Sequence, residues 1–394
     1  MRRHLSAARR SLSRLILALA LGAFGMLPGA LVPSSAVHAQ TVVKYGAEFL
    51  AGGVGARALG MGGAYVGMAN DVTAGYWNPA GLDAIAYPQG AYMHAERFSG
   101  IVSFDYGAVA WPISNRSTLG VSFFRSGVDD IANTLEAFNP DTGLPLPNPE
   151  SRVTYFSAAD YAFFVSYARR LSDNFRLGVT GKVIRRSIGD FANAWGYSAD
   201  IAAQYQIGRF ALGLNIQDVT GMLQAWTVND AAFQDLYEDP DNPGSFLGFS
   251  DVFGQDAPVG LTELVLPVAR LGTAYALPVT EDIGLNLGFD LDLAFDGQQA
   301  YVFNAGDLSF RPRLGTEVTY RGLVALRAGI ADVTTSDRYG TQLTPTIGAG
   351  LALDQINVDY GFGDFGGLQS ELGSTHRISV MLTLEQPRFA RADR

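Results

Sequence analysis

From Ile283 to Leu293 the chain alternates without an error. Ile283, Leu285, Leu287, Phe289, Leu291 and Leu293 share one face, and Gly284, Asn286, Gly288, Asp290 and Asp292 share the other. A period of two marks a strand whose faces meet different surroundings. Phe175, Leu177, Val179 and Val183 likewise oppose Arg176, Gly178, Thr180, Lys182 and Arg186. Ile347, Ala349, Leu351 and Leu353 oppose Gly348, Gly350 and Asp354, and Ile356, Val358, Tyr360 and Phe362 oppose Asn357, Asp359 and Gly361. Near the end, Ile378, Val380, Leu382 and Leu384 oppose Arg377, Ser379 and Thr383. Such segments often reach the roughly 9–11 residues that a tilted strand needs to cross a bilayer.

The connections point the same way. Tight turns are expected at 112–116, 172–174, 207–209, 278–282, 321–322 and 354–355, alternating with long links at 127–157, 187–194, 218–266, 295–309, 331–343 and 364–374. Outer-membrane barrels pair short periplasmic turns with long extracellular loops and an even strand number. The expected fold is therefore all-β, a transmembrane outer-membrane β-barrel of about 14 antiparallel strands with both barrel ends periplasmic. A soluble sandwich or propeller also alternates, but its strands are usually shorter and its loops less regular.

Residues 1–39 read as a secretory signal peptide: Arg2, Arg3, Arg9, Arg10 and Arg14, an apolar stretch from Leu15 to Val32 broken at Pro28-Gly29, then Val37-His38-Ala39. A transmembrane anchor is the alternative there. After that leader no run approaches the roughly 18 apolar residues of a spanning helix. The leader takes five of the 28 basic residues and no acidic one, leaving 23 against 38, a net charge of −15. That sign argues against a nucleic-acid partner, whose footprint is basic. With no cysteine, the chain has no disulfide, thiolate nucleophile or Cys-ligated metal.

Charge on a lipid-facing position near the midplane costs about 2–4 kcal/mol, so the charged faces are expected inside the barrel. Arg176, Lys182, Arg186, Arg270, Arg313, Arg327 and Arg377 would line the lumen with Asp200, Asp290, Asp292, Glu317, Asp354 and Asp359. Ion pairing that stiffens the wall is their plain role; substrate selection is the functional alternative.

A barrel of this width is too wide for wall side chains to fill. The segment 40–89 is the expected N-terminal hatch or plug, ahead of a barrel over 90–385 and a polar C-terminal tail at 386–394. It lacks strand alternation and is dense in glycine, from Gly52-Gly53 through Gly60-Met61-Gly62-Gly63 to Asn78-Pro79-Ala80-Gly81-Leu82. Glycine permits the turns and close approaches that a threaded plug requires. The run from Gly55 to Leu82, together with Leu372-Gly373-Ser374-Thr375-His376-Arg377-Ile378-Ser379 at the far end, resembles the PorV/PorQ group of outer-membrane proteins. That group is in turn similar to the FadL-type hydrophobic-transport barrels, in which an Asn-Pro-Ala segment belongs to the hatch. The resemblance implies a hatch motif of Gly60, Met61, Gly62, Gly63, Asn78, Pro79 and Ala80. The chain departs from such barrels in ending its last strand near Leu384, without a terminal aromatic residue.

Chemistry-bearing motifs are sparse. Gly53-Val54-Gly55-Ala56-Arg57-Ala58 fits G-x-G-x-x-A, but no βαβ unit surrounds it. Ser374 and Ser379 near His376 leave a lipid-modifying hydrolase as an alternative to a non-enzyme. The loop from Asp218 to Glu263 carries nine acidic residues and no Lys or Arg, and reads as a solvated surface rather than a calcium site. Apolar Phe246, Leu247, Phe249, Val252 and Phe253 within it are candidates for closing the mouth or meeting a partner. No metal or cofactor is expected. Similarity to PorV implies an accessory of type IX-like protein secretion that binds cargo or partner proteins. The alternative, implied by similarity to FadL, is a passive uptake channel for fatty acids or hydrocarbons. Outer-membrane lipid is the shared partner of both.

Overall fold

The computed structural model describes residues 41–42 and 48–386, apart from 99, 140–141, 143, 234–236, 240–241, 243, 255, 257–259, 296–300, 337–339 and 365–373. The signal peptide, residues 387–394 of the tail and Leu372-Gly373 lie outside the described residues.

Fourteen antiparallel strands close into a barrel. In chain order they are β1 (Gln89–Arg97), β2 (Val102–Ser114), β3 (Ser117–Asn133), β4 (Thr154–Ser172), β5 (Phe175–Ile188) and β6 (Ala192–Ile207). β7 comes in two pieces, Phe210–Gln217 and Met222–Val228, as does β8, Thr262–Val265 and Val268–Pro278. β9 (Ile283–Ala294), β10 (Leu308–Tyr320), β11 (Val324–Ser336), β12 (Gly340–Leu353), β13 (Ile356–Asp364) and β14 (Ser374–Thr383) complete the wall. Each strand pairs with its sequence neighbour, and β14 closes on β1 from Gln89↔Thr383 to Glu96↔His376. The wall thus begins and ends at the short-turn rim.

The six tight turns fall where the alternation breaks. The opposite rim departs from the expected loops. β5 and β6 leave only 189–191 between them, β11 and β12 are separated only by 337–339, and the interval 218–266 includes wall pieces of both β7 and β8. β3 and β4 run for 17 and 19 residues, against 9 and 10 in β13 and β14. Once a strand rises past the lipid, its outer face need not be apolar, so alternation fades although the ladder continues. Asp354 is a second correction. It sits exposed in the tight turn at φ 52°, not on a lumen face, because a short polar side chain tolerates the left-handed region that the turn demands.

The outer wall carries Val109, Leu119, Val121, Val165, Leu177, Val179, Leu287, Phe289, Ile347 and Ile378 in the open. Rings including Trp111, Tyr205, Phe210 and Tyr320 are exposed toward the short-turn rim. An aliphatic band with an aromatic girdle is the surface a bilayer selects. No helix among the described residues is long and apolar enough to cross a membrane.

Candidate functional site: the plugged lumen

The lumen is filled by the chain that precedes β1. It contains a 3-10 turn at Glu48–Leu50, the short helices α1 (Ala56–Gly60) and α2 (Ala74–Trp77), and a 3-10 turn at Pro79–Ala84. Asn78 starts that last turn: its Oδ1 accepts from Ala80 N (3.2 Å), with Pro79 in the first position, where a missing N–H costs nothing. The Asn78 Nδ2 donates outward to Val66 O (3.0 Å) and to Ala203 O (3.2 Å) of β6, so one side chain caps the turn and ties it to the wall.

From Ala56 to Gly67 the plug tracks around the inner wall, meeting strands in reverse order. Ala56 lies at Gly361 of β13, Gly60 at Gly348 of β12, Met61 and Gly62 at Gly329 of β11 and Gly315 of β10. Ala64 follows at Gly288 of β9, then Val66 and Gly67 at Gly272 of β8 and Gly213 of β7. A methyl group at Gly315 would stand 2.3 Å from the Met61 carbonyl oxygen, and one at Gly213 2.4 Å from that of Val66. The wall is smooth there because the plug backbone lies directly upon it. Gly62, at φ +66°, is itself 2.6 Å from Ile330 O by the same measure.

Charges fasten this track. Arg57 grips Glu317 with both Nε (2.9 Å) and Nη2 (2.8 Å), and Arg327 reaches the same carboxylate at 2.6 Å while also holding Asp359 at 2.7 Å. Asp290 accepts the Tyr65 and Val66 amides at 2.7 and 2.8 Å. Arg377 donates to the Gly52 and Gly55 carbonyls, and Arg313 to that of Gly63 while pairing with Asp292. Arg270 and Arg311 flank the same Asp292. Asp83 of the plug meets Arg170 at 2.8 Å and Arg176 at 3.9 Å. Burial pushes the Tyr65 phenol's pKa well above its ordinary value, so it stays protonated and donates to Asp71 at 2.6 Å.

Apart from Asp354, the sequence-designated charges sit on the inner face, with different partners from a wall ladder alone. Arg186 pairs with Asp160, and Lys182 with Asp200 and Asp218, within the wall. The others named above hold the plug or one another. Sequence reasoning passed over Arg57, Asp71, Asp83, Arg170 and Arg311. It also passed over the inward glycines, although Gly288 and Gly348 stood in plain view on polar faces.

Between these charges the inner wall of β1–β5 carries an apolar patch. Met93, Phe104, Tyr106, Phe124, Phe164 and Ile184 of β1–β5 point inward and are buried against Leu50, Tyr76 and Trp77 of the plug. Phe49 lies 6.0 Å from Phe124 and Tyr76 6.3 Å from Phe164, ring centre to ring centre. Sequence alternation did not separate these residues from lipid-facing ones, since both are apolar. At the short-turn rim, a cleft of about 170 Å³ reaches in to Arg57, Tyr65, Asp71, Glu317 and Asp359. On the outer face, His376 bonds Tyr360 Oη at 2.8 Å and lies 3.4 Å from Ser374 Oγ, whereas Ser379 accepts the Ala56 amide inside. The two serines thus fall on opposite faces of the wall.

Among solved structures, the chain is similar to the P. putida toluene transporter TodX, at 12% identity and TM-score 0.52 over 85% of this chain and 99% of that one. The CymD monoaromatic hydrocarbon channel aligns at 13% identity and TM-score 0.51, over 85% and 98%. The likeness is one of fold. No protein-family model and no curated protein matches the chain. The PorV/PorQ resemblance gains no support from these comparisons.

Proposed function

We propose that this protein is an integral outer-membrane channel for passive uptake of hydrophobic small molecules, with its short-turn rim toward the periplasm. The inward apolar patch on β1–β5 carries this reading. A water-filled pore has no use for Phe104, Phe124 and Phe164 on its inner wall, whereas a hydrophobic solute loses little on leaving its own apolar surroundings for theirs. The neighbours' names, a toluene transporter and a monoaromatic hydrocarbon channel, agree with that chemistry. In this reading the solute arrives at the long-loop rim, passes along β1–β5 beside the plug and leaves through the wall into the bilayer. The ion pairs keep the plug seated meanwhile.

Uptake of radiolabelled toluene by Gram-negative cells bearing the barrel tests the reading, since their lipopolysaccharide leaflet slows unaided passage. Faster uptake than in cells without the barrel is expected, and Phe164→Glu should abolish the gain while the folded barrel persists on heat-modifiable gels. Equal uptake with and without the barrel sinks the reading. Bulky replacements of Gly62 would not serve here, because the clash with Ile330 removes the fold along with the passage.

A further inference from the structure

Polar side chains stand on the outer wall at a depth where the wall elsewhere is apolar. Tyr92, His94 and Glu96 of β1 alternate with the buried Met93, Ala95 and Arg97, and face outward. On β2 the outward positions run from Trp111 through Val109 to Asp105. Asp105 accepts from Tyr92 Oη (2.7 Å) and lies 2.9 Å from His94 Nδ1, while Glu96 is 3.8 Å from the other ring nitrogen. The side chains of His94 and Glu96 are 45% and 63% exposed. His376 of β14, the register partner of Glu96, faces out as well and bonds Tyr360 Oη. Arg125 of β3, beside Asp105, is answered on its own strand by Asp129 at 2.9 Å.

Asp105 sits six residues above Trp111 on the same strand. At about 3.3 Å per residue and a tilt of roughly 45°, that is about 14 Å above the girdle of the short-turn rim, midway up an apolar band about 25 Å tall. Six residues above Tyr320, by contrast, β10 presents the exposed Leu314. Carboxylates and imidazoles turned to hydrocarbon lose their hydration, and polar groups at that depth are the ones that hold protein surfaces together in a bilayer.

The patch is complementary to itself. β1 runs between β14, which supplies His376, and β2, which supplies Asp105. A two-fold axis along the membrane normal beside β1 exchanges these flanks, turning the His376 side of one copy to the Asp105 side of the other. Strand tilt brings the two level. Followed through register partners, the row of His94 meets Thr262 on the upper piece of β8 by way of β2, but Leu277 near its lower end by way of β14. Rows therefore climb from β14 to β2, and Asp105, one outward row below His376, is raised toward its height.

We infer that the outer face of β14, β1 and β2 joins two copies of this chain across that axis. Each copy supplies a carboxylate acceptor where the other supplies an imidazole that can donate. Tyr92 and Tyr360, both exposed, add apolar area with hydrogen-bonding tips.

A chain without cysteine makes the contact readable. Tyr92→Cys, beside the axis, should give a disulfide-linked pair of barrels when cells bearing the protein are oxidised with copper phenanthroline, whereas Ile347→Cys, similarly exposed on β12, should not. Heat-modifiable gels confirm that each variant is folded. In the Tyr92→Cys background, His376→Asp should cut the linked fraction by about tenfold or more, and His376→Lys should preserve it. Native mass spectrometry of the unsubstituted barrel in lipid nanodiscs should read the mass of two chains. A single-chain mass, equal linkage at Tyr92 and Ile347, or equal linkage in the His376→Asp and His376→Lys variants overturns the paired barrels. Linkage of Tyr92→Cys to a different protein overturns the second copy as the occupant.

Discussion

A single added methyl group would press on the backbone of the plug. At Gly315 a side chain would meet the Met61 carbonyl at 2.3 Å, a backbone atom with nowhere to move between the sheet and the rest of the plug. Gly315→Val is expected to destabilise by at least the roughly 1–3 kcal/mol of core overpacking, read as a lower unfolding temperature in detergent. At Gly107 a methyl group would have nothing within 4 Å of it, and Gly107→Ala should leave that temperature unchanged or slightly raised. Equal losses from the two would refute the track. Glu317 is the matching polar case, since it receives Arg57 from the plug and Arg327 from the wall at once. Glu317→Gln removes the carboxylate that the partly exposed Arg57 and the buried Arg327 share, leaving them Asp71 and Asp359, and about 1.5–3 kcal/mol of destabilisation is expected by denaturant titration.

Strands were legible where lipid meets one face and the lumen the other. Ile283–Leu293 reads correctly residue by residue because both environments act along its whole length. The upper parts of β3, β4 and β11 were read as loops because above the bilayer neither face is obliged to be apolar. The break in β7 was hidden for another reason. Asp218 and Gly221 look like the start of a long loop, and only the return of Met222–Val228 to pair with β6 shows that the wall continues. Lys182 holds that break from two strands away, so Lys182→Met should leave Asp200 and Asp218 repelling each other in a dry site. A loss of about 3–5 kcal/mol is expected, with faster amide exchange at 218–222 than at 211–216; uniform exchange across β7 would contradict the latch.

For the molecule as a whole, the lumen combines ion pairs that fasten the plug with an apolar patch on β1–β5, and the plug meets both. Deleting 48–85 should therefore do two things: open ion conductance in planar bilayers, where the full chain is expected to be nearly silent, and lower thermal stability because Asp290, Glu317 and Arg377 lose their plug partners. An intact unfolding temperature would show that the wall does not depend on its filling. Local pattern was enough to read the barrel, its fourteen-strand plan, the short-turn rim and a glycine-rich segment too irregular to be wall. These follow from local rules, the period-two contrast of lipid against lumen and the chemistry of tight turns. Which inward charges hold the plug, which apolar residues face inward rather than to lipid, and where the ladder fails emerge from long-range packing alone. Those outcomes depend on residues more than a hundred positions apart, such as Arg57 with Glu317 and Met61 with Gly315, and no local pattern carries that pairing.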